Sequence, residues 1–106
     1  MKDFTIIYKI LKFLHKMMDF SEPDFTPIFP EQLGITETRW EQLMIMLQKN
    51  GYIEGLRIYS FLDSPGEHIY KPLSPKITLQ GLEYLSENSV MKKAANAAKG
   101  IIDAMT

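Results

Sequence analysis

No cysteine occurs among the 106 residues of this sequence. That absence excludes a disulfide framework, thiolate metal sites and cysteine nucleophiles together. An excess of either charge is missing too: twelve basic residues stand against thirteen acidic ones, a formal net charge of −1. Bulk electrostatics therefore draws the chain neither to nucleic acid nor to a membrane, and any such attraction has to come from local clustering. Long apolar runs are lacking as well, and nothing approaches the roughly 20 consecutive apolar residues that cross a bilayer. The opening "MKDFTIIYKILKFLHKMM" is interrupted by Lys9, Lys12 and Lys16 and is followed by no small-residue cleavage site, so it does not read as a secretion signal. A soluble, cytoplasmic chain with no membrane partner is the expectation.

Catalytic patterns are equally scarce. His15 lies among lysines and His68 in a strand or wing, neither with a carboxylate or second histidine at ligand spacing. Ser-His-Asp spacing, a glycine-rich phosphate loop and a calcium loop are not found. The reading is no enzyme, no cofactor and no metal.

What is present is ample apolar material, 45% of residues, enough for one core in a chain of single-domain size. Asp3 is placed to cap a first helix, in which Ile7, Ile10, Leu11, Leu14, Met17 and Met18 recur at spacings of three and four. Lys9, Lys12 and Lys16 share another face of it. "DFSEPDFTP" ends the helix, and "PIFPEQLGI" allows only a short helix, because Pro27 and Pro30 lack the amide proton of a regular turn. Gly34 is expected to close that piece in a left-handed conformation.

"ITETRWEQLMIMLQKNGYIEG" then carries a helix with two independent start signals. Thr36 is placed as N-cap, and Ile35 is at the offset that staples onto Trp40. Trp40, Leu43, Met44 and Leu47 share one face, which is expected to enter the core, and Asn50 with Gly51 closes the helix. "YIEGLRIY" and "HIYKPL" read as two strands, joined by "FLDSPGE" as a loop longer than a tight two-residue turn. In "ITLQGLEYLSENS", Thr78 caps a further helix with Leu82 and Leu85 inward. Gly81 weakens that helix by about 1 kcal/mol relative to alanine, which predicts that another backbone passes close to it. Ser89 caps a last helix, where Met91, Ala95, Ala98, Ile102 and Met105 form a seam of coiled-coil type.

The predicted fold class is α+β, mainly α: a winged helix-turn-helix with a β-hairpin wing and additional C-terminal helices. Residues 1–88 form the winged-helix domain and residues 89–106 a C-terminal helix, either docked on it or dimerising. "LGITETRWEQLMIMLQKNGYIEGL", followed after a loop by "ITLQGLEYLSENS", resembles the YjcQ family, small proteins of Gram-positive bacteria and their prophages. Gly51, Tyr52, Ile53, Gly55 and the run from Thr78 to Leu85 carry the likeness. The resemblance implies a winged-helix-like fold and a prophage context, and it lends no assigned activity.

Two functions follow as expectations. In the first, the chain is a DNA-binding regulator: with Trp40 turned inward, Thr38, Gln42, Ile45 and Lys49 face outward beside Arg39 and Met46. Gln42 suits an adenine edge, Arg39 guanine, Ile45 a thymine methyl and Lys49 a phosphate. Arg57 and Lys71 near the hairpin, and Lys9, Lys12 and Lys16 on the first helix, would add phosphate contacts, although a lysine face also serves plain solvation. Glu37 and Glu41 beside the same surface weigh against double-stranded DNA, and the prolines shorten the helix that should cross its backbone. In the second, the chain is a protein-interaction or prophage structural module, with Ile45, Met46 and the seam Met91, Ala95, Ala98, Ile102 and Met105 as interfaces. A homodimer through that C-terminal seam is one form of it, and in the DNA reading its two recognition helices would have to sit about 34 Å apart.

Overall fold

A computed structural model of the chain describes residues 2–88. The order is α1 (Lys2–Lys16), 3-10 turns at Met17–Asp19 and Thr26–Ile28, α2 (Pro30–Leu33), α3 (Glu37–Lys49), β1 (Ile53–Glu54), β2 (Ile58–Phe61), β3 (Ser64–Ile69), β4 (Lys76–Ile77) and α4 (Leu79–Asn88). The architecture is α+β and mainly helical, with two small antiparallel sheets, and its order is compatible with a winged helix-turn-helix. The expected last helix and its seam of Met91, Ala95, Ala98, Ile102 and Met105 lie outside the described residues.

In α1 the buried residues are Ile6, Ile10, Leu11 and Leu14. Met17 and Met18, expected to extend this stripe, fall where the chain tightens into a 3-10 turn, and Met18 ends exposed. Asp3 is not a cap: it sits inside the first turn, and its carboxylate accepts from the Arg39 guanidinium on α3 at 2.8 and 3.0 Å. Both prolines of "PIFPEQLGI" occupy first-turn positions, where no amide proton is required. Upstream, Asp24 accepts from the Thr26 hydroxyl and amide, which hold its carboxyl below the usual range. Gly34 closes α2 at φ +70°, the left-handed geometry expected of it.

α3 begins as its sequence dictates, with the Thr36 hydroxyl accepting from Arg39 N at 3.1 Å. Trp40, Leu43, Met44 and Leu47 are buried as expected, and Trp40 Nε1 donates to the Ile28 carbonyl at 2.7 Å. Behind α3, Gln48 brackets the buried Leu56: its Nε2 donates to Leu56 O at 3.0 Å and its Oε1 accepts from Leu56 N at 2.8 Å. One amide side chain thus satisfies both backbone groups of a residue that joins no strand.

The run "YIEGLRIY" divides into two strands. β1 pairs with β4 (Ile53 with Ile77, Glu54 with Lys76), while β2 pairs with β3 (Ile58 with Ile69, Tyr59 with His68, Phe61 with Ser64). The long loop expected at "FLDSPGE" shrinks to a two-residue turn, Leu62 and Asp63, because Ser64, Pro65 and Gly66 belong to β3. The extra residues are taken up within β3 as a bulge, with Gly66 at φ +93°. The β1–β4 pair closes the base of this hairpin, a pairing that two residues per strand are too short to announce in sequence.

α4 is pinned at its start. The Thr78 hydroxyl donates to Gly51 O and accepts from Gly81 N at 3.1 Å, while Thr78 N donates to Tyr52 O at 3.1 Å. Tyr52 and Tyr84 pack with ring centroids 5.3 Å apart, and burial pushes the Tyr84 phenol up from its ordinary value.

Candidate functional site

The hairpin does not stand clear of α3 as a free wing. β3 lies along it, and the stripe Glu37, Glu41, Ile45 and Lys49, one residue per helical turn, forms the seam. Lys71 Nζ donates to Glu37 Oε1 at 2.8 Å, Glu41 Oε2 accepts from Ile69 N at 3.0 Å, Glu41 Oε1 lies 3.2 Å from His68 Nδ1, and Lys49 Nζ pairs with Glu67. Ile45, expected outward as a base or partner contact, is in the middle of this seam and only 7% exposed. It is a core residue because β3 covers the flank of α3 that the helical wheel alone leaves free.

The charges of the seam are mutually committed. The hydrogen bond from Lys71, reinforced by its positive charge, holds the Glu37 carboxyl below its ordinary value, and the same bond raises the Lys71 ammonium. The pair's small contribution to stability is therefore complete above the usual glutamate pKa and lost as pH falls through the depressed one. On the basic side it is complete below the usual lysine pKa and is lost as pH rises from there through the raised value. Lys71 also lies over the Trp40 ring, 5.9 Å from its centroid.

Glu41 is the most enclosed acid of the seam, its side chain 13% exposed and both oxygens engaged. Glu41→Ala strips the acceptor from the Ile69 amide and should destabilise the fold by about 1–3 kcal/mol. A urea midpoint unchanged from wild type, together with unaltered exchange at the Ile69 amide, would contradict this role.

The residues singled out for DNA are dispersed. Arg39 is tied to Asp3, Lys49 to Glu67 and Lys71 to Glu37. Thr38, Gln42 and Met46 remain exposed beside Arg39 and line one shallow concavity with it. Arg57 is exposed and stacks over Tyr70, 5.7 Å from the ring centroid. Lys9, Lys12 and Lys16 do share an exposed face of α1, as expected. At 100° per residue that face is roughly 150° around the helix from the buried stripe and from Asp3, which reaches α3. One straight duplex laid on α3 would not meet it.

What sequence reasoning passed over is the outer face of the hairpin. Tyr59 lies 4.4 Å from Tyr70, 5.0 Å from Phe61 and 5.6 Å from His68, centroid to centroid. Phe61 and Tyr70 are 59% and 50% exposed. This aromatic row borders a cleft of about 670 Å³ whose opposite wall is Glu37, Thr38 and Glu41 on α3. The signal was in the strands themselves: Arg57, Tyr59 and Phe61 alternate, and so do His68 and Tyr70, which puts all five on one face once the register is known. No cluster of three or more potential metal ligands, and no helix long and apolar enough to span a membrane, occurs among the described residues.

The YjcQ protein family model matches residues 8–104. The chain belongs to the YjcQ family. It is 38% identical over 78 residues to the uncharacterized protein YjcQ of Bacillus subtilis strain 168, a match spanning 74% of this chain and 78% of that relative. The solution NMR structure of the Bacillus subtilis YjcQ protein superposes with a TM-score of 0.51 at 32% identity, covering 80% of this chain and 94% of the other. The elements carrying the cleft fall within the YjcQ match: α3 and the hairpin lie between residues 8 and 104.

Proposed function

We propose that this member of the YjcQ family is a non-enzymatic binding module whose ligand is another protein, held by the aromatic face of the β2–β3 hairpin and the adjoining cleft. The observation that carries this reading is the aromatic row in which exposed Phe61 and Tyr70 flank the half-buried Tyr59, with Arg57 stacked on its end. Tyrosine, phenylalanine and arginine are enriched in protein interfaces, where a ring supplies large contact area with little conformational freedom to lose. Met46, 51% exposed on α3, extends the apolar surface. The electrostatics argue in the same direction, because Glu37 and Glu41 line the cleft and the nearest cations are already paired.

The DNA-binding reading retains only the exposed edge of Thr38, Arg39 and Gln42. Titrating the protein against mixed-sequence duplex at low salt tests it: the expected result is no binding, or binding with a flat salt dependence. A steep fall of affinity with salt, abolished by Arg39→Ala and Lys49→Ala, would replace the protein ligand by DNA. In parallel, proteins retained from host extract are compared between wild type and the double variant Tyr59→Ala/Phe61→Ala, with folding checked by circular dichroism. At least one retained protein should be lost with the aromatic row. Identical retained sets would sink the proposal.

A further inference from the structure

The two edges of the hairpin are treated differently, and the difference points to a specific use. Tyr70 N donates to Arg57 O at 2.8 Å, so the odd-numbered residues of β2 bond across to β3. By the alternation of an antiparallel ladder, the N–H and C=O of Ile58 and Ser60 point the other way, out of the hairpin. The same alternation turns the Ile69 amide away from β2, and there Glu41 accepts it at 3.0 Å. The β3 edge is thus sealed by α3. The β2 edge has no such cover: among the described residues, β2 pairs with β3 alone and no backbone hydrogen bond from outside the hairpin reaches Ile58 or Ser60.

Edge strands normally carry charges or proline that deter pairing with another chain. β2 is Ile58, Tyr59, Ser60 and Phe61, without a charge or a proline. The charges lie just beyond its two ends and are opposite in sign, Arg57 before it and Asp63 after it. Both are exposed. Within one chain they lie at opposite ends of the hairpin, Arg57 before β2 and Asp63 in the turn after it, and four strand residues at about 3.3 Å each keep them too far apart to pair.

From this asymmetry we infer that β2 is a self-association edge: a second copy of this chain pairs with it antiparallel about a two-fold axis. A register centred on Ser60 sets Ser60 against Ser60 of the second copy as a hydrogen-bonded pair. Tyr59 then faces Phe61 of the second copy, and the long Arg57 side chain points along the ladder toward Asp63 in the second copy's turn, at both ends by symmetry. The strand is self-complementary in charge. Pairing would join two hairpins into one four-stranded sheet whose aromatic rows run together. This inference does not rest on the proposed protein ligand, and either can fail without the other.

Sedimentation equilibrium of the full chain over a wide concentration range tests it. A reversible monomer–dimer equilibrium is expected. Arg57→Asp and Asp63→Arg should each weaken the dimer about fivefold, since each breaks two symmetric surface pairs. The double variant Arg57→Asp/Asp63→Arg should restore it. Ser60→Pro, which removes an outward amide and no bond within the hairpin, should weaken it at least tenfold. If Ser60→Pro perturbs the hairpin itself, the charge-swap rescue still decides the matter, since only a contact between copies can produce it. A monomer at every concentration overturns the inference. So does a dimer indifferent to all four variants, which would place the contact elsewhere, such as residues 89–106.

Discussion

Replacing Trp40 by alanine should lower stability by about 3–5 kcal/mol, a large share of the roughly 5–15 kcal/mol that holds a typical domain folded. The side chain is fully buried and meets three different parts of the molecule. Its Nε1 donates to the Ile28 carbonyl at 2.7 Å, Phe29 packs edge-on with centroids 6.3 Å apart, and the Lys71 ammonium lies over the ring at 5.9 Å from its centroid. Alanine removes all three and leaves a cavity between α3 and the proline-rich segment before α2, where 3-10 and extended backbone have little freedom to collapse inward. Trp40→Phe separates the contributions: the ring volume is largely kept, while the Ile28 carbonyl loses its donor at a cost of about 1–3 kcal/mol. Urea unfolding followed by circular dichroism measures both, since the chain has a single tryptophan and fluorescence would disappear with it. A loss below about 1 kcal/mol for the alanine variant would be incompatible with this packing.

Gly81→Ala sets local preference against tertiary packing, and packing should win. Within a helix alanine is favoured over glycine by about 1 kcal/mol, so an exposed site would gain stability. At Gly81 an added Cβ would stand 2.3 Å from the Tyr52 carbonyl oxygen and 2.6 Å from Ile77 Cγ1. The first of these neighbours is backbone, fixed by the hydrogen bond it accepts from Thr78 N. Relief requires α4 to withdraw from the α3–β1 junction, which breaks the bonds that Thr78 makes to Gly51 and Tyr52. Overpacking of this kind costs about 1–3 kcal/mol or more beyond the propensity gain. The urea midpoint should therefore fall, and a variant as stable as the parent would show that no close approach exists.

The glycine illustrates what can be read without coordinates. A residue unfavourable to helices in the first turn of a well-capped helix implies a steric reason, and Tyr52 supplies it. Thr36, Gly34 and Thr78 were legible for the same cause: caps depend on a few neighbouring residues and on backbone groups whose needs do not vary with the fold. Ile45 was misplaced for the opposite reason. Its burial depends on a distant strand, β3 at Ser64–Ile69, lying along the helix, and the charged neighbours at that helical spacing, Glu37, Glu41 and Lys49, make the stripe look like a solvated face. Their partners are Glu67 and His68 on β3 and Lys71 just after it.

From the sequence alone came the order of α1 to α4, the ends marked by Gly34, Thr36, Asn50 and Thr78, the inward stripe of Trp40, and the kind of fold in which a capped helix precedes a short hairpin. Local hydrogen-bond demands and the 3.6-residue period act over a few neighbours, so they are written in contiguous residues. Tertiary structure alone decided which flank of α3 is covered, which cations are neutralised, and that Tyr59, Phe61 and Tyr70 gather on one exposed surface. Each of these depends on strand register and on the docking of distant segments, and those are set by the mutual fit of whole elements, which no single stretch of chain encodes.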